Sequence, residues 1–453
     1  MKYTLVTFGC RVNQSDSLAL ETELHACGAE PSPSAEADFV IVNTCSVTAT
    51  ADQGARQTIR RIARENPRAR IVATGCYASR CSSEVAALPG VAAVISNAAK
   101  APALFFREAQ EALGTRGSLL PPTSLGSLGG EPGGSSAVNE GPCGRPLAPG
   151  LMGRTSWTLR VQTGCNEACS YCIIPRTRGA SASRALEDVQ EELSRVRAAG
   201  YREVVVTGVH LGSYGRDLAP RRSLAELMTT LATADLDARP AVAAAGGRGI
   251  DLAADPLLFR ISSLEPMDFP LELLDLVAGQ LDAGTAWRGG VAPHFHLPLQ
   301  HASDRMLQAM HRPYTGEAYA ALVHTIRQRL PHAAIGTDVI VGFPGETEED
   351  FEQLASYLEG SPLTHLHVFP YSDRPGTVAS ALPGKVHGAV VKARALRLRE
   401  ISRRLADRFR AAQRGTTRPA LTIDDGSVAV TDNYFRVPAP PGRGRNQWVA
   451  VTL

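Results

Sequence analysis

The chain lacks any run of apolar residues that approaches the roughly 20 needed to cross a bilayer. The apolar part of its opening stretch, MKYTLVTFGC, is too short and too interrupted for a secretory signal. We therefore expect a cytoplasmic protein, in a compartment that keeps thiols reduced. A large net charge is also missing, since 47 lysines and arginines face 45 aspartates and glutamates, so the overall charge indicates no particular partner.

Disulfide bonds are not expected for the nine cysteines, because their number is odd and the compartment is reducing. Three of them, Cys165, Cys169 and Cys172, lie in the stretch GCNEACSYC with the spacing C-x₃-C-x₂-C. Thiols this closely spaced indicate metal ligation. Structural zinc and cubane iron–sulfur clusters both take four ligands, so this stretch raises the question of what the fourth one is.

The length of 453 residues suggests about three domains. Residues 1–113 alternate between short β-rich runs and helical patterns, which predicts an α/β domain with a parallel sheet. Its predicted strands are residues 2–8, 38–44, 69–75 and 91–97. In residues 114–150, glycine and proline make up 16 of 37 positions, and this composition predicts a flexible linker.

From residue 151 to 385 the alternation resumes over six predicted strands. These are residues 157–163, 203–209, 258–264, 294–299, 334–343 and 365–371. Six βα repeats without a seventh predict a partial (βα)₆ barrel, with an inserted loop at residues 238–256. Residues 386–453 predict a long basic helix followed by a short β-module. Apolar residues at helical spacing should turn one side of that helix toward the protein: Leu398, Ile401, Leu405, Phe409 and Ala412.

The other side of the basic helix carries nine lysines and arginines between residues 392 and 414, against two acidic residues. A solvated surface is one interpretation of this run, and contact with nucleic-acid phosphates is the other. The candidate RNA-binding residues are Arg403, Arg404, Arg408 and Arg410.

Zinc and an iron–sulfur cluster compete for GCNEACSYC. Zinc would need a fourth ligand nearby, and the nearest candidate, His210, lies beyond an entire predicted helix. A cluster with one iron left open for a substrate or cofactor is the better interpretation. The loop also follows a predicted strand, at the edge where α/β proteins place their sites. In this position the motif resembles the radical S-adenosylmethionine enzymes, in which S-adenosylmethionine binds the open iron.

That resemblance implies further cofactor contacts. Tyr171 stands where the superfamily places an aromatic residue near the adenine. Thr207 and Gly208 follow the second strand, where the amino group of the cofactor is bound, and Glu265, in RISSLEP, follows the third. Taken singly, the glycines in such stretches are also compatible with ordinary turns.

Three more cysteines, Cys10, Cys45 and Cys76, each come just after a predicted parallel strand. Because neighbouring strands end side by side, the three thiols should converge. A three-cysteine domain, a radical S-adenosylmethionine barrel and a β-module together resemble the methylthiotransferase family. This resemblance implies two [4Fe–4S] clusters, S-adenosylmethionine and a TRAM-like RNA-binding module. The remaining cysteines are expected to be structural or incidental: Cys27, Cys81 and Cys143.

Within that family, GCRVNQSDS (9–17), GVHLGSYG (208–215) and RISSLEP (260–266) resemble the branch that acts on N6-threonylcarbamoyladenosine beside the tRNA anticodon. The implied reaction is methylthiolation at C2 of this adenosine, at position 37 of the tRNA. The implied partners are tRNA, an external electron donor such as flavodoxin or ferredoxin, and a sulfur source. Neither a membrane nor DNA is expected.

Four alternatives stay open at this point. Two are the branches that act on isopentenyladenosine in tRNA or on a ribosomal protein. The others are an iron–sulfur electron-transfer protein, which would ligate each cluster with four cysteines, and a zinc-dependent nucleic-acid-binding module, which would lack the barrel.

Overall fold

The computed structural model describes residues 1–113, 153–237, 255–281, 287 and 289–453. The linker predicted at residues 114–150, with Cys143, and nearly all of the insertion predicted at residues 238–256 lie outside these ranges. None of the described helices is long and apolar enough to cross a membrane.

The described chain divides into two compact units. The first consists of residues 1–113, 160–167 and 172–195, and the second of residues 153–159, 168–171 and 196–453. The domain boundaries expected from the sequence remain a prediction.

A parallel five-stranded sheet forms the centre of the first unit. Its strands are β1 (Lys2–Thr7), β2 (Glu30–Pro31), β3 (Phe39–Thr44), β4 (Arg70–Gly75) and β5 (Val91–Ile95). They lie in the order β2-β1-β3-β4-β5. All six residues of β3 are buried, as expected for the central strand of a parallel sheet that is covered on both faces.

Helices cover both faces of this sheet. They are α1 (Arg11–Ala26), α2 (Ala49–Glu65), α3 (Cys76–Arg80), α4 (Ser82–Ala86) and α5 (Pro102–Leu113). Phe39 and Ile41 of β3 pack in one apolar layer with residues of α1 and α5. Val40 and Val42 pack in the opposite layer with residues of α2, α3 and α4, because successive side chains of a strand point to opposite faces.

The strands of the partial barrel follow later in the chain. Between residues 157 and 370 the strands are β6 (Trp157–Arg160), β7 (Gln162–Thr163), β8 (Ala182–Ser183), β9 (Glu203–Thr207), β10 (Leu258–Ile261), β11 (Gly290–Val291), β12 (His294–His296), β13 (Ala334–Val341) and β14 (His365–Pro370). One sheet has the order β11-β10-β9-β6 and another the order β12-β13-β14. A parallel bridge between Ser263 and His296 joins the two sheets, so β6, β9, β10, β12, β13 and β14 follow one another in chain order. The short strands β7 and β8 form a separate antiparallel pair in the first unit.

Helices alternate with these strands. They are α6 (Ile174–Arg178), α7 (Leu186–Ala198), α8 (Leu224–Asp237), α9 (Glu272–Leu281), α10 (Asp304–Ala309), α11 (Gly316–Arg329) and α12 (Glu348–Gly360). Single 3₁₀ turns occur at Asn97–Ala99, Leu211–Ser213, Pro266–Asp268 and Val378–Ala381. Helix α12 begins with a capping box in which Thr347 and Asp350 satisfy each other's backbone N–H groups.

A long helix and a small antiparallel sheet complete the second unit. The helix is α13 (Gly388–Ala412), and the strands are β15 (Thr417–Ile423), β16 (Val428–Thr431), β17 (Arg436–Pro438) and β18 (Trp448–Thr452), in the order β17-β16-β15-β18. Arg418 and Asp432 form a buried bidentate ion pair inside this β-module, with N–O distances of 2.7 and 2.8 Å.

The predicted fold class is confirmed: an α/β chain with parallel sheets, a six-stranded partial barrel and a small C-terminal β-module. The sequence patterns missed the short strands β2, β8 and β11, which have only two residues each and therefore no periodicity to detect. On α13, the prediction for Ala412 is wrong. Leu398, Ile401 and Leu405 are buried and Phe409 is half-buried, whereas Ala412 is exposed at the helix end.

Candidate cluster and cofactor sites

The strand-end cysteines of the first unit converge. Cys10, Cys45 and Cys76 follow the neighbouring strands β1, β3 and β4, whose pairing aligns Thr7 with Asn43 and Asn43 with Thr74. The three strands therefore end at one level, and the thiols are near enough for Cys10 and Cys76 to affect the ionisation of Cys45. Cys45 and Cys76 are buried, and Cys10 is exposed.

Asn13 connects the loops that carry two of these cysteines. Its side-chain amide donates hydrogen bonds to the carbonyl oxygens of Phe8, at 2.8 Å, and Thr44, at 2.9 Å. Phe8 lies just before Gly9 and Cys10, and Thr44 lies just before Cys45. The first turn of α1 thus holds both loops, so Asn13 positions the thiols without being a ligand candidate itself.

Glycine is required beside Cys45. Gly9 has a φ of +92°, and a Cβ atom at this position would lie 2.4 Å from Sγ of Cys45. No side chain fits there without moving the sulfur, so the backbone of the loop after β1 can approach the thiol only because residue 9 has no Cβ.

Buried cations surround Cys76. Asp16 of α1 accepts hydrogen bonds from Lys100 and Arg178, each at 2.8 Å, and it also pairs with Arg160. The side chains of Asp16, Lys100 and Arg178 are at most 3% exposed. Burial alone would raise the pKa of Asp16, but the cations hold it far below its usual range.

The charges in this group do not balance. One carboxylate faces the buried Lys100 and Arg178 and the partly exposed Arg160, which leaves two positive charges without a counter-charge in the group. Buried charges are costly unless they are paired, so this arrangement favours a bound anion. Three cysteine thiolates that ligate a [4Fe–4S] cluster would supply negative charge at this place, and the residues therefore fit such a cluster.

The thiols respond differently to this environment. Burial raises the pKa of Cys45 to about 11, and the neighbouring thiols Cys10 and Cys76 act in the same direction. Burial would also raise the pKa of Cys76, but the cationic Arg178 and Lys100 bring it below its ordinary value. Asn97 donates a further hydrogen bond to Sγ of Cys76 at 3.6 Å. Cys76 is therefore the buried thiol that is prepared for deprotonation and metal binding.

The loop GCNEACSYC begins directly after β7. In the first unit, the backbone N–H of Cys165 donates to the carbonyl of Gly179 at 3.1 Å, and its Sγ accepts from the N–H of Glu167 at 3.4 Å. In the second unit, the N–H of Ser170 donates to Met310 and its hydroxyl donates to Ala309. Within each unit, these contacts fix the part of the loop that belongs to it.

Arg312 contacts Cys169 in the second unit. Its Nη1 donates to Sγ of Cys169 at 3.2 Å, its Nη2 pairs with Glu265, and its Nε donates to the hydroxyl of Tyr314 at 3.2 Å. A hydrogen bond from a cation favours the thiolate form of Cys169, which is the form that binds iron. The donor set therefore fits a cluster at this loop, and the sequence patterns did not identify Arg312.

The predicted cofactor contacts lie in the second unit. Glu265 follows β10 and pairs with Arg312, and Tyr171 packs against an apolar group that includes Met306 and Phe343. Thr207 ends β9 and accepts a hydrogen bond from Ser262 at 3.1 Å, and Gly208 follows it directly. That these four residues bind the cofactor remains a prediction.

The loop after Gly208 is fixed to Asp268. Nε2 of His210 lies 2.7 Å from one carboxylate oxygen of Asp268, and Arg216 donates to the other at 2.5 Å. Gly212 lies so near that a Cβ atom would be 2.3 Å from Cβ of Asp268. The stretch GVHLGSYG is therefore held rigidly at the carboxyl end of β9.

The four arginines predicted to bind RNA lie on α13, with their side chains held by protein partners. Arg403 pairs with Glu400, Arg404 with Glu359 and Glu400, and Arg410 with Asp407. Arg408 donates to the backbone carbonyl of Ser361. The partners reduce the positive field that these arginines present to a polyanion, although all four ion pairs are largely solvated.

A second basic surface lies on the same helix. Lys392 and Arg399 of α13 line a cavity of about 590 Å³ together with Lys385, and residues at the ends of β13 and β14, Gly342 and Pro370, line it as well. Lys392 and Arg399 are exposed and have no carboxylate partner among the described residues. We call this set of three cations, Lys385, Lys392 and Arg399, the cavity cations.

Two family models match separate parts of the chain. The model of the uncharacterized protein family UPF0004 matches residues 2–96, and that of the radical SAM superfamily matches residues 159–358. A solved radical S-adenosylmethionine methyltransferase, TsrM from Kitasatospora setae, shares the fold with a TM-score of 0.53 and 15% identity, over 84% of this chain and 74% of that one. The fold and the cysteine loop thus define a radical S-adenosylmethionine enzyme.

Two curated relatives indicate which family of radical S-adenosylmethionine enzymes the chain belongs to. The chain is 34% identical to the threonylcarbamoyladenosine tRNA methylthiotransferase MtaB of Aquifex aeolicus, over 96% of each chain. It is 33% identical to the ribosomal protein uS12 methylthiotransferase RimO of Salinispora arenicola, over 94% of this chain and 85% of that one. The chain belongs to the radical S-adenosylmethionine methylthiotransferase family. Its cofactors are two [4Fe–4S] clusters and S-adenosylmethionine.

Replacing Asp16 tests the charge group of the first unit. Asp16→Asn should lower the free energy of unfolding of the apoprotein by about 3–5 kcal/mol, because it leaves the buried Lys100 and Arg178 and the partly exposed Arg160 without their carboxylate. Urea unfolding followed by circular dichroism measures this change. The matched control is Glu36→Gln, which removes an exposed ion pair with Lys2 and should cost below about 1 kcal/mol. Equal losses in the two variants would contradict the assigned role of Asp16.

Proposed function

We propose that this enzyme adds a methylthio group at C2 of N6-threonylcarbamoyladenosine next to the anticodon of tRNA, at position 37. The observation that carries the proposal is the match to the MtaB protein of Aquifex aeolicus, which spans 96% of both chains. Identity alone separates the branches weakly, since the RimO relative is 33% identical. The stretches GCRVNQSDS, GVHLGSYG and RISSLEP support the threonylcarbamoyladenosine branch.

The division of labour follows from the two cysteine sets. When bound, the cluster of Cys165, Cys169 and Cys172 with S-adenosylmethionine supplies the one-electron chemistry that activates an unreactive C–H bond, and the cluster of Cys10, Cys45 and Cys76 supplies sulfur. The side chains of the protein position the reacting groups and stabilise the cysteine thiolates by their charge. Arg312 holds the Cys169 thiolate and Glu265 at the carboxyl end of the barrel strands.

In this proposal, the loop after β9, at the carboxyl ends of the barrel strands, orients the substrate. Thr207 is fixed by Ser262, and His210 is fixed by Asp268, so the loop between them has little freedom to move. In this proposal the loop of residues 208–215 contacts the modified adenosine, because a rigid loop can exclude the wrong side chain on N6.

The tRNA would be bound by charge and by the β-module. The cavity cations lie at the carboxyl ends of β13 and β14. Lys385 pairs with Asp373, so Lys392 and Arg399 would be the ones that contact phosphates. The arginines Arg403, Arg404, Arg408 and Arg410 would add a weaker, longer-range field. The C-terminal sheet is proposed to be a TRAM-like RNA-binding module. An electron donor such as flavodoxin or ferredoxin and a separate sulfur source complete the proposed partners.

Nucleoside analysis tests the substrate directly. Deletion of the gene should remove 2-methylthio-N6-threonylcarbamoyladenosine from tRNA and leave its unmethylthiolated precursor, as measured by mass spectrometry of digested tRNA. Plasmid-borne wild-type gene should restore the modified nucleoside. Loss of 2-methylthio-isopentenyladenosine, or loss of the methylthio group from a ribosomal protein with tRNA unchanged, would assign the enzyme to another branch.

Cysteine variants test the two roles separately. Cys165→Ala, Cys169→Ala and Cys172→Ala should each abolish formation of 5′-deoxyadenosine from S-adenosylmethionine, because the cluster loses a thiolate. The triple variant Cys10→Ala, Cys45→Ala, Cys76→Ala should retain about half of the iron, since one cluster of two stays, and still form 5′-deoxyadenosine without methylthiolated product.

The matched control for these substitutions is Cys81→Ala, a half-buried thiol near Cys76 in sequence that has no predicted ligand role. It should retain full iron and full product formation. Full iron with normal product in the triple variant would remove the second cluster from the proposal.

Salt dependence of tRNA binding distinguishes the two basic surfaces. Lys392→Gln with Arg399→Gln should flatten the slope of log affinity against log salt by about 2, because two phosphate contacts are lost. Replacing Arg403, Arg404, Arg408 and Arg410 together should flatten this slope less for each charge removed. In the wild type their guanidinium groups already have protein partners. Unchanged slopes in both variants would mean that the basic residues of α13 face solvent and do not contact the phosphates of the tRNA.

A further inference from the structure

Four histidines and an aspartate share one face of the sheet β12-β13-β14. His294 and His296 lie on β12, Asp338 on β13, and His365 and His367 on β14. The residues between them, such as Phe295 and Leu366, point to the opposite face and are buried, because side chains alternate along a strand. The parallel register aligns His296 with Gly336, Gly336 with His365, and Asp338 with His367.

Three of these side chains bring potential ligand atoms together, one from each strand. Nε2 of His296 lies 2.8 Å from Oδ1 of Asp338, and Nδ1 of His367 lies 3.2 Å from the same oxygen. All three ligand atoms lie within 4.8 Å of one another. Ligand atoms about 2.0–2.1 Å from a tetrahedral zinc ion are about 3.3–3.5 Å apart, so only small movements separate this arrangement from a metal site.

The surrounding residues hold the imidazoles in place. Gly336 lies opposite two of them, and a Cβ atom there would be 2.2 Å from Nε2 of His365 and 2.9 Å from Nδ1 of His296. Nδ1 of His365 lies 2.9 Å from the hydroxyl of Thr364. The sheet therefore makes room for the rings through a glycine and restricts their rotation, as a preorganised metal site requires.

The three side chains that carry the ligand atoms differ in their exposure to solvent. The side chain of His296 is 10% exposed, that of Asp338 is 22% exposed, and that of His367 is 56% exposed. An ion can therefore enter from the side of His367. Two imidazoles and one carboxylate also leave at least one coordination position open for water or another ligand, as in zinc sites with exchangeable ligands.

We propose that His296, Asp338 and His367 bind one divalent transition-metal ion of the zinc type, at a site separate from both cysteine sets. Nitrogen and oxygen donors of this kind suit Zn²⁺, Co²⁺ or Ni²⁺, whereas thiolates hold the iron–sulfur clusters. The ion would connect β12, β13 and β14, the last three strands of the partial barrel, so its first effect is to stiffen this side of the sheet. The proposal does not depend on the choice of tRNA substrate.

Cobalt is the probe for this site, because its visible absorption reports nitrogen and oxygen ligation. The full-length protein is reconstituted anaerobically with both iron–sulfur clusters, so that the cysteines are occupied, and is then titrated with Co²⁺. We expect one bound Co²⁺ per chain, displaced by Zn²⁺, and a higher melting temperature with Zn²⁺ than without it. His296→Asn, Asp338→Asn and His367→Asn should each weaken the binding at least tenfold.

The matched control is His324→Asn, an exposed histidine on α11 outside the cluster, which should bind Co²⁺ like the wild type. If the other two variants lose their iron, His367→Asn is the variant that tests the site. The side chain of His367 is the most exposed of the three and is the least needed for packing. Absence of a Co²⁺ band in the wild type would overturn the proposal. So would wild-type affinity in a folded His367→Asn variant that still has both clusters.

Discussion

Parallel strands that end at the same level are the constraint on which the site of Cys10, Cys45 and Cys76 and the predicted cofactor contacts depend. Neighbouring parallel strands that start and end in register place the loops after their carboxyl ends side by side. In the first unit this register brings together cysteines that are more than 30 residues apart in the sequence. In the barrel it places Thr207 beside Ser262. A slip of one residue would turn each loop away from its neighbour, so the register is part of the site.

Buried charge is the second constraint, and it depends on the first. The sheet fixes Cys45 and Cys76, and Asp16 of α1 then gathers Lys100, Arg178 and Arg160 beside them. Cations in a dry environment destabilise the fold unless an anion accompanies them. An anionic cluster on the three thiolates would supply this anion. If Cys10, Cys45 and Cys76 hold it as proposed, folding of the first unit and loading of the cluster should support each other.

The sequence was informative where a site depends on local spacing and strand ends. The positions of Cys10, Cys45 and Cys76 could be predicted because each follows its own β-rich run. Asp16 and Arg312 were missed because their partners come from distant segments: Lys100 and Arg178 lie 84 and 162 residues from Asp16, and Glu265 lies 47 residues from Arg312. The histidine–aspartate group was missed for the same reason, since each strand contributes only one of its three ligand atoms.

Helix α13 shows why charge along one helix is an incomplete guide to RNA binding. The helix contains eight basic residues and a ninth, Arg414, follows it, but the carboxylates that pair with several of them lie on other elements, such as Glu352 and Glu359 on α12. Arg394 is even buried against Glu346. Pairing converts these arginines into contacts that hold α13 on the barrel. Of the cavity cations, Lys385 is paired with Asp373, so Lys392 and Arg399 supply the local positive field. Because that cavity includes the carboxyl ends of β13 and β14, a phosphate bound there would bring the tRNA to the edge of the barrel where Thr207 and Glu265 also lie.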